Sequence, residues 1–158
     1  MIVLVRALTY AALFIGLVLI FLPARILTEA GVRAPENVGA LEVLGILVGT
    51  IGACLAIWCV LAFAVVGKGT PAPFDPPRRL VVRGPYKVVR NPMYLGAGLA
   101  LGGAALYYQS GALAMFGLVF LFVTHVFVRL YEEPTLRRTF GEDYERYSRR
   151  VGRWLPKV

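Results

Sequence analysis

The sequence predicts an all-α integral membrane protein: about four transmembrane helices, an ordered cytoplasmic loop and a carboxyl-terminal amphipathic helix, in a single domain over residues 1–158. Three observations carry this expectation. Hydrophobic residues make up 58% of the chain and charged residues only 16%, against about 45–50% and about 25% in soluble domains. Four apolar runs approach bilayer length, and mean hydropathy is +0.69. The formal charge of +8 lies almost wholly outside those runs. Residues 67–92 carry six cations and one acid, and residues 129–158 carry eight cations and five acids, which accounts for the whole excess. The composition excludes intrinsic disorder, which needs low hydrophobicity. The placement of the cations is juxtamembrane, so no nucleic-acid partner is expected.

A bilayer core of about 30 Å needs about 20 apolar residues. The first run, residues 2–22, is interrupted only by Arg6 and is expected to end at Pro23. A cleaved signal peptide is its competing reading, opposed by Arg6 and by the lack of a small-x-small site after the run. The second run, residues 38–66, is long enough to span with tilt and holds Glu42 near its start. The third, residues 93–108, is short and glycine-rich, and by length alone it also fits a core helix. The fourth, residues 112–131, follows a Gln109-Ser110-Gly111 turn, and together the last two read as a helical hairpin. With four spans, the amino terminus, the 67–92 connection and the carboxyl tail share one side. That side is the cation-rich one and therefore cytoplasmic, which suits a plasma (inner) membrane protein.

Cys54 and Cys59 stand five residues apart inside the second run, off one another's helix face. The single histidine rules out a multi-histidine zinc site, so no metal is expected. Gly45-x-x-x-Gly49 and Gly98-x-x-x-Gly102 are small-residue seams, which pack helices within a chain more often than between chains.

The connection 67–92 has prolines at 71, 73, 76, 77, 85 and 92 and glycines at 67, 69 and 84, which forbid a continuous helix. Its apolar side chains, among them Phe74, Leu80, Val82 and Tyr86, argue that it folds back and packs. An ordered connection of this length is more often functional than idle. At the end of the fourth run His125, Arg129, Glu132 and Glu133 share one helix face, just before Pro134. An ionisable group inside a span is a functional candidate by default; the plain alternative is that Arg129 snorkels and pairs with Glu132 or Glu133. Two acids at an otherwise cationic exit favour function. Beyond them, over 134–151, Leu136, Phe140, Tyr144, Tyr147 and Val151 recur at helical spacing opposite Arg137, Arg138, Arg146, Arg149 and Arg150. That pattern predicts an interfacial amphipathic helix resting on anionic lipid and covering a pocket, with Trp154 suited to the interface.

Two motifs resemble a known superfamily. Gly84-Pro85-Tyr86-x-x-Val89-Arg90-Asn91-Pro92-Met93-Tyr94-x-Gly96 resembles the signature of the isoprenylcysteine carboxyl methyltransferases and phospholipid methyltransferases. Asn-Pro-Met-Tyr and Tyr131-Glu132-Glu133-Pro134 are similar to the phosphatidylethanolamine N-methyltransferase branch. The run from Glu133 through Leu136, Phe140, Gly141, Tyr144 and Tyr147 to Arg153 and Pro156 resembles the carboxyl-methyltransferase tail. Gly67 to Pro71 is similar to small prokaryotic members. The likeness covers about the last three fifths of the chain.

The resemblance implies an S-adenosylmethionine-dependent membrane methyltransferase acting on an amphiphilic acceptor, a lipid amine ahead of a prenylated cysteine carboxylate or a small hydrophobic thiol. Tyr86, Arg90, Asn91, Tyr94, Glu132 and Glu133 are implied to line the cofactor, with Arg90 or Arg129 on its carboxylate and Gly96 and Gly98 permitting close backbone approach. Gly49-Thr50-Ile51-Gly52 lacks the Gly-x-Gly of phospholipid members. Catalysis falls to Glu132, Glu133, Arg90 and His125, one of the acids or His125 taking a proton from an amine acceptor. A membrane reductase of related architecture and a non-enzymatic membrane protein are the rival classes.

Overall fold

A computed structural model describes residues 9, 12–62 and 80–157. The expected start of the first helix, the end of the second (63–66) and the first half of the connection, including Gly67 to Pro71 and Phe74, lie outside the described residues. The described residues are mostly helical, and three of the helices are long and apolar enough to cross a membrane: Ala12–Glu29, Ala40–Ala62 and Gly111–Phe140.

The first helix does not stop at Pro23. It runs as a π-helix over Ile15–Phe21 and continues as α1 (Leu22–Glu29). The wider π turns that precede Pro23 make room for the proline ring within the continuous helix. The helix ends where Gly31 takes φ +65°, with Ala30, Gly31 and Val32 donating back to carbonyls of the last turn.

Helix α2 (Ala40–Ala62) opens with the Gly39 N–H donating to Glu42 Oε2 at 2.8 Å. The other Glu42 oxygen accepts from Gln109 Nε2, tying the start of α2 to the turn between the next two helices. Helix α3 (Pro92–Tyr107) has 16 residues, about 24 Å of rise and short of the hydrocarbon core. It lies against α2 at backbone distance. A Cβ on Gly45 would stand 2.6 Å from Tyr107 N, and one on Gly52 would stand 2.5 Å from Ala100 N. The α3 side of this seam is Gly96, Ala100 and Gly103, and not the expected Gly98 and Gly102. Gly98 faces Leu121, and nothing lies within 4 Å of a Cβ on Gly102. Positions 96 and 103 are two turns apart and share the face toward α2, which 98 and 102 do not.

Gln109 (φ +47°) turns the chain, and the Ser110 hydroxyl accepts from the Leu113 N–H at 3.2 Å, capping α4 (Gly111–Phe127). A π turn, Val128–Glu132, leads straight into α5 (Glu133–Phe140). This helix of 30 residues rises about 45 Å, more than a bilayer core requires, so its end stands clear of the hydrocarbon. The outer face of α4 is apolar and bare, Phe122 being 69% exposed, as a lipid-facing surface is.

The tail is two helices, not one. Gly141 at φ +51° separates α5 from α6 (Glu142–Arg150). The break leaves the apolar stripe intact: Tyr144, Tyr147 and Val151 pack with Leu136, Phe140, Leu80 and Val82. Residues 80–91 form a strap beneath α6, with a 3-10 turn at Gly84–Lys87 and an isolated parallel bridge from Val89 to Gly152.

Candidate active site

The strap is held by packing at its first turn. Gly84 has φ +56°, a conformation that favours glycine, and a Cβ there would sit tightly, 3.3 Å from the Trp58 indole nitrogen. The turn buries Tyr86 against Cys59 and Val81, and its carbonyl accepts from Tyr147 Oη at 2.7 Å. Burial pushes the Tyr86 phenol well above its ordinary value, and the Tyr147 phenol rises for the same reason. Tyr86 is thus part of the packed interior.

Three residues on, the strap meets the exit of α4. Arg90 Nη1 lies 3.1 Å from Glu133 Oε1 and donates to Tyr144 Oη at 3.0 Å. Arg153, from the chain's end, grips the same carboxylate with both prongs, Nε to Oε1 at 2.7 Å and Nη2 to Oε2 at 2.9 Å. Two guanidiniums and one buried carboxylate make a charge-assisted cluster. The bond to Glu133 raises the Arg153 guanidinium still further above its ordinary value. Tyr144 is pushed up by burial first and by the Glu133 charge second. The backbone reinforces the cluster: the Arg90 N–H donates to Gly152 O at 2.8 Å, and Asn91 Nδ2 donates to Arg153 O at 3.2 Å. One donor is left over. Arg90 Nε is buried with no hydrogen-bond partner among the described residues.

The adjacent acid is placed differently. Glu132 is half-buried and accepts from Tyr94 Oη at 3.1 Å. Among the described residues it has no cationic partner. The expected pair of equivalent acids is therefore two unlike groups, one neutralised by arginines and one facing a phenol. Neighbouring helix positions point about 100° apart, so Glu133 turns to the strap and tail while Glu132 turns to α3.

The other expected residues are dispersed. His125 Nδ1 accepts from Trp154 Nε1 at 3.0 Å, and the two rings stack with centroids 6.0 Å apart. Arg129 is exposed and forms no ion pair among the described residues, so the expected pairing with Glu132 or Glu133 is not seen. A Cβ on Gly96 would meet the Ala56 backbone nitrogen at 2.8 Å, and one on Gly98 would meet Leu121 at 2.6 Å. The close approach that both glycines allow is therefore helix to helix. Among the described residues no group of acidic, histidine or cysteine side chains is arranged to hold a metal ion.

Sequence reasoning missed that Arg153 and Tyr144 reach this cluster and that Trp154 pairs with His125. The available signal was charge balance: a carboxylate drawn into a packed exit needs a cation, and Arg90 alone leaves one carboxylate oxygen unmatched.

The phospholipid methyltransferase family matches residues 41–143, which include α2, the strap, α3, α4 and both acids. A methanethiol S-methyltransferase of Pseudomonas deceptionensis is 32% identical over 76 residues, 46% of this chain and 27% of that protein. The chain thus spans about a quarter of that relative's length. No solved structure matches at a significant level. The family match extends over well more than half of the chain and contains the strap and the acids that meet there, so this integral membrane protein belongs to the phospholipid methyltransferase family.

Proposed function

We propose that the chain transfers a methyl group from S-adenosylmethionine to an acceptor dissolved in the membrane, a lipid amine in the first place. The observation that carries this reading is the hydrogen bond from Tyr94 to Glu132, a half-buried carboxylate without a cation among the described residues. An ammonium headgroup must lose a proton before its nitrogen can attack a methyl carbon, and a carboxylate held in place is suited to receive it. A prenylcysteine carboxylate needs no such base. Glu132 therefore argues for an amine or a thiol.

The residues fit the proposed methyl donor at both charges. Glu132 can accept its cationic end, and the unpaired Arg90 Nε–H can donate to its carboxylate. When bound, the donor supplies an electrophilic methyl on a sulfonium. Positioning is then the protein's main contribution. Tyr94 orients Glu132, while Glu133, with its oxygens taken by Arg90 and Arg153, positions Arg90 without touching the reacting atoms. His125, engaged by Trp154, anchors the tail. The cation-rich strap and tail are read as the cytoplasmic side of the plasma membrane, where a water-soluble donor meets a lipid-borne acceptor.

The second reading is S-methylation of a small hydrophobic thiol, favoured by the methanethiol S-methyltransferase relative; the thiol too must lose a proton. The purified protein is given methyl-labelled S-adenosylmethionine with a phosphatidylethanolamine, an alkyl thiol or a prenylcysteine. Label is expected in the first, and label in the thiol alone would move the assignment to the second reading. Glu132→Gln is expected to lower turnover at least a hundredfold at saturating donor, with donor binding by calorimetry weakened but still measurable because Arg90 remains. Full turnover in Glu132→Gln, or label only in the prenylcysteine, overturns the base.

A further inference from the structure

A groove of about 660 Å³ runs between the strap and α6, apart from Glu132 and the Glu133 cluster. Its floor is Leu80, Val82, Phe140 and Val151, and its rim carries Asp143 and, one helical turn apart, Arg146 and Arg150. We propose that this groove binds one anionic phospholipid of the surrounding bilayer, its acyl chain over the floor and its phosphate on the arginine rim.

The chemistry of the lining selects the occupant. An apolar floor gives nothing to a free phosphate, and a cationic rim gives nothing to a plain hydrocarbon, so the groove asks for both in one molecule. Arg146 is partly neutralised by Asp143, but Arg150 has no acidic partner among the described residues and stands exposed. Arg149 flanks it, and Lys157 Nζ donates to the Ser148 and Arg149 carbonyls at 3.1 Å, which adds a cation at the same end of α6. Position supplies the second argument. Helix α5 continues the spanning helix beyond the hydrocarbon, and α6 folds back from it across Gly141. The rim therefore lies in the headgroup layer, where a basic side chain contributes about 1 kcal/mol toward anionic lipid.

The test uses the full chain in neutral detergent and native mass spectrometry with short-chain phosphatidylglycerol, short-chain phosphatidylcholine and inorganic phosphate as probes. Phosphatidylglycerol is expected to bind at one copy in preference to the other two. Arg150→Gln is expected to weaken it about fivefold and the Arg146→Gln/Arg150→Gln pair roughly 30-fold, while Arg138→Gln, outside the groove, leaves it unchanged. Arg150→Gln alone leaves the Asp143 pair in place, so it reads the rim even if the double variant folds poorly. Equal uptake of phosphatidylcholine, undiminished binding in Arg150→Gln, or displacement of the lipid by S-adenosylmethionine each overturns the proposal, the last by making the groove part of the donor site.

Discussion

Arg153 closes a two-pronged bond on Glu133 across 20 residues of sequence, at 2.7 and 2.9 Å, and in doing so fastens the end of the chain to the exit of α4. Glu133 is 6% exposed, so the bond is made where water competes weakly. Removing one partner of a buried pair typically costs about 3–5 kcal/mol; with Arg90 still in place, Arg153→Ala is expected to cost roughly 2–3 kcal/mol. Arg153→Lys recovers the charge but not the fork and falls between. Thermal unfolding in detergent measures the series. An unchanged midpoint for Arg153→Ala would show that the tail is held by other contacts.

Tyr94→Phe separates positioning from folding. It deletes the one donor to Glu132 found among the described residues and keeps the ring, which packs near Ala97 and Leu101. A hydrogen bond to a charged group is worth about 1.5–3 kcal/mol, so turnover is expected to fall about tenfold to a hundredfold, in kcat more than in KM. Labelled methyl transfer under saturating acceptor reads the effect. A loss confined to KM would place Tyr94 on acceptor binding and leave Glu132 oriented by something else.

The contrast between these two acids marks how far a single sequence can be read. The second and fourth apolar runs, the break from helix over residues 80–91 and the Ser110 turn are local patterns, and each appears where hydropathy and turn chemistry place it, whereas the first helix continues past Pro23 to Glu29. The break at Gly141 is not local in the same sense: the spacing from Leu136 to Val151 continues across it, because both helices turn the same side to Leu80 and Val82. Proximity of the strap to the acids was legible from motif and topology. The division of labour between Glu132 and Glu133 was not, since it depends on Arg153 arriving from the chain's end and on a phenol from another helix. The glycine seam was half legible. Gly45 and Gly49 are spaced for a close approach, but the choice of Gly96 and Gly103 over Gly98 and Gly102 depends on which face of α3 meets α2.

That choice has a sharp consequence. A Cβ on Gly103 would run into the Gly49 backbone, whereas a Cβ on Gly102 meets nothing within 4 Å. Gly103→Ala is therefore expected to force α2 and α3 apart and cost about 2–3 kcal/mol, as overpacking does. Gly102→Ala is expected to be neutral or slightly stabilising through helix propensity. Recovery of monodisperse protein after mild heating compares the two. Equal recovery would mean that the seam is looser than the backbone distances indicate.

Trp154 offers a direct report on whether the tail stays docked. The chain has two tryptophans, and Trp58 is 58% exposed. Trp58→Phe leaves Trp154 as the only indole, half-buried and bonded to His125 Nδ1. If the stacked pair holds the last residues against α4, His125→Ala in that background removes both the acceptor and the ring, and Trp154 emission is expected to move to the red. Loss of one neutral hydrogen bond contributes about 1 kcal/mol and the ring contact about as much again, enough to expose the segment to limited proteolysis after Arg149 or Arg150. An emission maximum that does not move, with the tail still protected, would show that Arg153 and the strap bonds to Gly152 and Arg153 keep the segment in place and that the His125 bond is incidental to it.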